Sequence, residues 1–345
     1  MAEQTATHMA DEIRETPSAV ARLLDREGAA IARLGATIRA REPSVIVTCA
    51  RGSSDNAAAY FKYLSEILLG VPVASIGPSV ASLYRAPLKL KNAVVVSVSQ
   101  SGQSPDIVAL QAAAQEAGAF SIAVVNQEDS PLAKTADAVI PLHAGPERSV
   151  AATKSCLASA IALAALVAGW GDDAALRDAI AALPQTLAET LRNDWDAALP
   201  VLVSATSAYV VGRGPALPVA AEAALKLKET AVLHAEAFSS AEVMHGPLQL
   251  LNAGFPVLAF SQADASREAM RGSIERLRAA KARVFEISTG AATTGEHLRA
   301  AATGHTALDP LAMLLSFYAL AEKTSLARGF EPDRPSLLRK VTETI

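Results

Sequence analysis

The sequence predicts an α/β fold of two tandem subdomains, each a parallel sheet covered by helices. Three observations predict it. Short β-branched runs alternate with helical patterns, the pattern returns at a fixed offset, and 51% of the 345 residues are hydrophobic. That apolar content is enough for two cores of ordinary domain size. Only 4% of the residues are aromatic, so small aliphatic side chains must fill those cores.

Residues 9–40 carry Ile13, Val20, Leu23, Leu24, Ile31, Leu34 and Ile38 at helical spacing and stop before Pro43. Residues 45–48 (Val-Ile-Val-Thr) read as a buried strand. The turn Ala50-Arg51-Gly52-Ser53-Ser54-Asp55 follows, and then a helical pattern through Tyr60, Leu64 and Leu68 to Gly70. Further strands are read at 94–98, 121–125 and 138–141, with helical stretches between them. Strands alternating with helices imply parallel pairing, because a parallel crossover needs a helix-length connection.

The second half echoes the first. Arg51-Gly52 after the first strand returns as Arg213-Gly214 after the run 208–211, and Ser99-Gln100 returns as Ser261-Gln262 after the run 257–260. Both pairs are separated by 162 positions, and residues 284–286 continue the echo of 122–124. A shared offset at equivalent strand ends favours duplication. The resulting division is an N-terminal helical segment at 1–43, a first subdomain with linker helices at 44–192, and a second subdomain with the tail at 193–345. The Ala-rich stretch 154–192 supplies the linker helices.

In open parallel sheets, ligands bind beyond the carboxyl ends of the strands. Arg51-Gly52-Ser53-Ser54 and Ser99-Gln100-Ser101-Gly102-Gln103-Ser104 both fall there, each just before a predicted helix. Glycine permits close backbone approach, helix-start N–H groups point outward, and hydroxyls add donors, so the pair suits a phosphate. One such loop alone reads better as a turn or an N-cap; two on neighbouring strand ends reverse that preference and favour the anion. The second copy continues Ala263-Asp264 instead, and a carboxylate there would repel phosphate, so only the first half reads as anion-competent. No GxxxxGK[ST] loop occurs, and Gly212-Arg213-Gly214 lacks the third glycine of a dinucleotide fingerprint. No cofactor is expected.

A formal net charge of -4 and a pI near 5.9 argue against a nucleic-acid partner. The polar opening residues lack an apolar signal region, and the most apolar stretch, 157–170, is short for a membrane span. The expectation is a cytoplasmic protein with no membrane partner. Cys49 and Cys156 match no disulfide framework or metal spacing and read as inert core thiols.

Titratable residues concentrate in 222–247. Glu222, Lys226 and Glu229 lie four and three apart, placing acid, base and acid on one helical face. Their apolar neighbours would partly bury that face, where pKa values move toward neutrality. His234, Glu236, Glu242 and His245 follow. Sugar isomerisation needs such a set, one group to open the ring and a carboxylate to move a proton between C1 and C2. On spacing alone the same face could be a solvated one with ordinary ion pairs. A metal on His234 with Glu236 or His245 lacks any HExxH-type spacing, and none is expected.

The motifs Arg51-Gly52-Ser53-Ser54, Ser99-Gln100-Ser101-Gly102, Val150-Ala151-Ala152-Thr153-Lys154, Glu222 to Glu229 and His234 to Pro247 together resemble the sugar-isomerase (SIS) domain family in its double-domain form. The chain is similar to the isomerase half of glucosamine-6-phosphate synthase and to the SIS-type glucosamine-6-phosphate deaminases. The resemblance implies flavodoxin-like three-layer subdomains and a sugar-phosphate substrate. It implies phosphate binding by Ser54, Ser99, Gln100, Ser101 and Ser104, in the loop that also holds Arg51, Gly52 and Ser53, and sugar contact around Val150 and Ala151. Glu229 matches the base of the C1–C2 proton shuttle, and Lys226 a lysine near the substrate hydroxyls. His245 matches a ring-opening histidine that reaches the site from the partner subunit, which implies a homodimer. The synthase tail holds a Schiff-base lysine followed by Ser-Val-Thr. Here Arg339 stands at that lysine's place and Lys340 abuts Val341-Thr342, a spacing nearer the deaminase type. No glutaminase domain is expected either. The implied activity is conversion of glucosamine 6-phosphate to fructose 6-phosphate and ammonia. The alternatives are a synthase-type isomerase, a related phosphosugar deglycase, or a sugar-phosphate sensor.

Overall fold

Runs rich in Val and Ile lose little by adopting extended backbone and gain by packing on both faces of a helix-covered sheet. The computed structural model, which describes residues 6–290 and 295–340, shows where these runs go. The chain opens with α1 (His8–Arg41), β1 (Ile46–Cys49), α2 (Gly52–Leu64), β2 (Val73–Ser75), α3 (Ser79–Ser82), β3 (Val94–Ser99) and α4 (Pro105–Glu116). It continues through β4 (Phe120–Val125), α5 (Pro131–Thr135), β5 (Ala138–Pro141), α6 (Lys154–Gly171), α7 (Ala174–Thr190) and α8 (Leu199–Ser204). The rest comprises β6 (Ser207–Gly212), α9 (Ala216–Ala231), β7 (His234–Ser239), β8 (Pro256–Phe260), α10 (Arg267–Ala279), β9 (Arg283–Ser288), β10 (Glu296–Arg299) and α11 (Asp309–Ala327).

Among the described residues the strands form two five-stranded sheets, ordered β2-β1-β3-β4-β5 and β7-β6-β8-β9-β10, with every pairing parallel. The two orders are the same topology written twice, so the predicted fold class is the one found. Three strands escape the sequence reading: β2, β7 and β10. All three are sheet edges, and edge strands are kept short or polar to block further pairing. β10 reads Glu-His-Leu-Arg and β7 His-Ala-Glu-Ala-Phe-Ser. The stretch before His245 is not a continuing helix: α9 ends at Val232, whose left-handed φ of 49° terminates it, and β7 and a 3-10 turn (Glu242–Met244) follow.

The chain divides into two compact units. One comprises Ser18–Glu147, Lys154–Ala181 and Lys340–Ile345, the other Met1–Pro17, Arg148–Thr153 and Ala182–Arg339. In the first, Val47 and Val95 pack with Leu90 and Ala114, and Cys49, Ala123 and Val125 with Ile107, Leu110 and Leu132. In the second, Tyr209, Val211, Val257, Ala259 and Val284 meet Met270, Ile274 and Leu277 of α10. Helix α6 has the length and hydropathy of a membrane span, but 89% of it is buried inside the protein, as a core helix would be. Burial pushes the Cys49 thiol up to about 12, with Asp106 adding to the effect. The Cys156 thiol donates to the Ser53 carbonyl at 3.3 Å. Both cysteines are free and buried in the core.

The duplication extends to backbone conformation. Gly52 and Gly214 stand at equivalent strand-to-helix turns with φ of +55° and +56°, and a side chain at either would meet nothing within 4 Å. Only the left-handed backbone therefore penalises another residue there. Gly52→Ala and Gly214→Ala are each expected to lower stability by about 1–2 kcal/mol, read as parallel shifts in denaturant midpoint. An unchanged midpoint in either would remove the backbone argument for that turn.

Candidate active site

Two groups of residues carry chemistry, one in each unit. The first lies at the carboxyl ends of β1 and β3, which pair directly, with Cys49 beside Ser97. Helices α2 and α4 start from these ends, capped by Arg51 and Ser104, and neither cap side chain bonds into its own helix. The first-turn N–H groups of α2 are left without a side-chain acceptor, as an anion cradle requires, whereas α4 opens on Pro105, which has no N–H, and its Ile107 N–H donates to Asp106 Oδ1 at 2.9 Å. Ser53 and Ser54 stand in the first turn of α2, Ser53 buried and Ser54 half-buried. Ser99 is buried, and its hydroxyl accepts from the Gly102 N–H at 3.0 Å, which leaves its own proton to donate. Ser101 accepts from Gln103 N–H at 3.4 Å, and the Gln100 carbonyl accepts from Asn126 N–H. Gly102 is irreplaceable in this turn: its φ is +61°, and a Cβ there would lie 2.2 Å from the Ser130 hydroxyl.

Arg51 does more than border the cradle. Its guanidinium is tied to Asp106 in the first turn of α4, with Nε donating to Oδ2 at 2.8 Å and a second bond from the same side chain. The Asp106 side chain is fully buried and that of Arg51 half exposed. The pair thus joins the two helix starts and neutralises a carboxylate that would otherwise oppose an anion beside it. Asp106 was not singled out in the sequence, where it reads as an ordinary first-turn acid.

Lys340 belongs to the same unit. Its ammonium donates to Glu147 Oε2 at 2.9 Å, and Glu147 also accepts from the Ser155 hydroxyl and N–H. Burial opposes the charge on Glu147, yet Lys340 and Ser155 together hold its carboxyl below the usual range. No local spacing reveals this pair, since its members are 193 residues apart. The tail residues Val341 and Thr342 lie outside the described residues.

The second group is on α9 and α11. The Tyr318 hydroxyl donates to Glu222 Oε1 at 3.1 Å, Lys226 Nζ lies 3.4 Å from the same oxygen, and Nζ also donates to Glu229 Oε2. Glu222 and Lys226 have essentially no exposure, whereas the Glu229 side chain is 23% exposed. A solvated face with ordinary ion pairs is thereby excluded. The row has a dry end anchored on Tyr318 and an open end at Glu229. Tyr318, on a distant helix, was invisible to the sequence reading.

The other expected residues spread out. Val150 donates its N–H to the Asp333 carbonyl, and the Ala151 side chain is buried, in a short segment whose Arg148 and Ser149 N–H groups both bond Glu12. His245 is exposed between two 3-10 turns. His234 opens β7 beside Ser207, the first residue of β6, and its Nδ1 lies 3.1 Å from that hydroxyl. This is the amino end of β6 and β7, the end that the last turn of α9 also meets. Among the described residues no three His, Cys, Asp or Glu side chains group as metal ligands would.

The Glu147–Lys340 pair yields a pH test. A carboxyl whose folded pKa is depressed contributes stability that is complete above its unfolded value and is lost as pH falls through the folded value. Replacing Glu147 by Gln is expected to cost about 1–3 kcal/mol at pH 7. The gap to the wild type should close only below the ordinary carboxylate range, near pH 4. Urea unfolding of both proteins across pH 3–8 checks it, and a gap that persists undiminished at pH 3 would contradict the assignment.

Comparison with known proteins places this arrangement. The SIS domain model matches residues 41–169 and 201–295. A glutamine–fructose-6-phosphate aminotransferase (isomerizing) from Methanothermobacter thermautotrophicus is 34% identical over 345 residues, which cover 96% of this chain and 56% of the relative. A solved candidate phosphosugar isomerase from Silicibacter pomeroyi DSS-3 is 46% identical with a TM-score of 0.91, covering 95% of this chain and all of that one. The C-terminal domain of glucosamine-fructose-6-phosphate aminotransferase from Francisella tularensis shares the fold at 24% identity and a TM-score of 0.82, covering 97% of this chain and all of that one. The chain spans a little over half the length of the curated relatives it matches. The chain belongs to the SIS domain family and is homologous to the isomerase half of those aminotransferases.

Proposed function

We propose that this chain is a cytoplasmic, homodimeric phosphosugar isomerase of the deaminating kind, converting glucosamine 6-phosphate and water to fructose 6-phosphate and ammonia. The observation that carries the reading is the Tyr318–Glu222–Lys226–Glu229 row, in which one carboxylate alone retains access to a substrate. An aldose–ketose interconversion needs one such group to take the proton from C2 and return it at C1. With an amine on C2, that transfer turns the open aldehyde into a C2 imine. Water then adds to the imine carbon and ammonia leaves, giving the ketose.

The remaining roles follow the family pattern. Ser54, Ser99, Gln100, Ser101 and Ser104, with the start of α2, hold the phosphate; Val150 and Ala151 border the sugar. Lys226, itself buried, pairs with Glu229 and sets the position of that carboxylate beside the hydroxyls. His245, on its exposed turn, opens the ring in the partner subunit's site. Lys340 is tied to Glu147, which suits a positioned contact beside the substrate rather than a free amine attacking its carbonyl.

The named relatives favour a second reading, the same row run toward synthesis from fructose 6-phosphate and ammonia. One measurement separates them: ammonia released from a panel of amino-sugar 6-phosphates, set against amino sugar formed from fructose 6-phosphate and ammonium. The expected result is release from glucosamine 6-phosphate. Activity confined to the synthetic direction would select the second reading, and turnover of neither would overturn both.

Glu229→Gln should lower kcat by about 10²–10⁴ while sugar-phosphate binding persists; full turnover would transfer the base to another residue. Glu229→Gln and His245→Asn should each be nearly inactive alone. Mixed under subunit exchange they should regain a fraction of activity, because one site of the heterodimer would hold both native groups. Absence of recovery despite verified exchange would remove His245 from its partner's site.

A further inference from the structure

The duplicated unit raises a question that its sequence answers only in part. Arg51 in the first copy is held by Asp106; the equivalent of Arg51 is Arg213, and the equivalent of Asp106 is Glu268. Glu268 pairs with Arg271 on its own helix instead. Among the described residues Arg213 has no carboxylate partner, and neither does Arg276 on α10. Both line one cavity of about 510 Å³, together with Ser240, His245 and Ser273. No acidic side chain lines it.

We infer that this cavity is a second anion site, built for a phosphate group on a small molecule or for free phosphate. Two arginines without carboxylate partners lining one cavity supply positive charge and planar N–H donors of the kind that bind phosphate oxygens. Ser240 is buried, and its N–H is tied to the Gly212 carbonyl, which fixes the end of β6 against the end of β7. Ser273 donates to the Ser240 carbonyl at 3.0 Å, which fastens α10 to the same corner. The walls are therefore held in place before any ligand arrives. Met244, Ala241 and Ala269 add a small apolar patch, and no Phe, Tyr or Trp ring lines the cavity.

The carboxylate that made this half look hostile to anions is occupied elsewhere. Asp264 accepts from the Ser266 N–H and hydroxyl at 2.8 and 2.6 Å and from the Gln262 amide. It fills the turn after β8, the counterpart of the first cradle, with a charge of its own. It is not among the residues lining the Arg213 cavity. Duplication has thus left one cradle in the first unit and a differently placed, arginine-lined cavity in the second.

The test isolates the two sites by stoichiometry. Titration of the wild-type chain with inorganic phosphate, followed by calorimetry, should show two equivalents. In a Ser54→Ala/Ser99→Ala background, which weakens the first cradle, one equivalent should remain at unchanged affinity. Adding Arg213→Gln or Arg276→Gln to that background should weaken the remaining site at least about tenfold. Arg271→Gln, on the same helix but engaged with Glu268, should leave it intact, and Arg276→Lys should lose less than Arg276→Gln. Arg276 is exposed, so its replacement does not endanger folding. Repeating the titration with fructose 6-phosphate separates the sources: tighter binding than phosphate marks an ester site, equal binding a free-anion site. A single equivalent in the wild type that vanishes with Ser54→Ala/Ser99→Ala would overturn the inference, as would a second equivalent indifferent to Arg213 and Arg276. Failure of the first cradle alone would look different, with a single wild-type equivalent that survives the serine changes and weakens with Arg213→Gln or Arg276→Gln.

Discussion

A charge with no access to water must be neutralised where it sits, because removing an ion from water costs several kcal/mol even after the protein relaxes around it. This constraint shapes the chemistry-bearing parts of both units. Lys226 is buried and is flanked by Glu222 and Glu229. Glu147 is buried and is met by Lys340. Asp106 is buried and is met by Arg51. In each case the buried ion has a counter-ion that remains partly exposed: Glu229, Lys340 and Arg51. The buried member anchors and the exposed member is presented, with its rotamer fixed by an attraction that the dry side makes strong. An enzyme needs that of its reactive groups, since a side chain free to swing in water must be re-ordered at each turnover.

The same constraint explains why α9 and α11 pack as they do. Lys226 has two acids for one charge, and the buried acid requires a donor of its own; Tyr318 supplies it across the helix pair. Without that hydroxyl, Glu222 would compete with Glu229 for the ammonium. With it, the row has a direction, running from a neutral phenol to a carboxylate at the open end. The direction is what the proposed proton transfer would require, because only the open end of the row, Glu229, is partly exposed.

Much of this was legible in the sequence, and what was not has physical reasons. Central strands announced themselves: β3, β4 and β8 are buried on both faces, so they carry runs such as Val94-Val95-Val96 that nothing polar interrupts. The edge strands β2, β7 and β10 meet solvent or a loop on one side, and their sequences show it. Spacings of three and four placed Glu222, Lys226 and Glu229 together because helix geometry is local. The partners that fix the same groups, namely Tyr318, Glu147 and Asp106, lie 96, 193 and 55 residues from the side chains they hold. Fold topology alone brings them together, and no window along the chain contains both members.

Duplication then sets what each half can do. Two copies of one topology begin with equivalent turns, and Gly52 and Gly214 still share a backbone conformation that few other residues would tolerate. The side chains around those turns have diverged by a simple rule: each copy satisfies its carboxylates with a different partner. In the first, Asp106 takes Arg51, which leaves the loop after β3 free of charge and open to an anion. In the second, Glu268 takes Arg271 and Asp264 takes its own turn, so the anion-binding role of that turn is closed while Arg213 is released. Charge pairing, more than fold, is therefore what distinguishes the two halves.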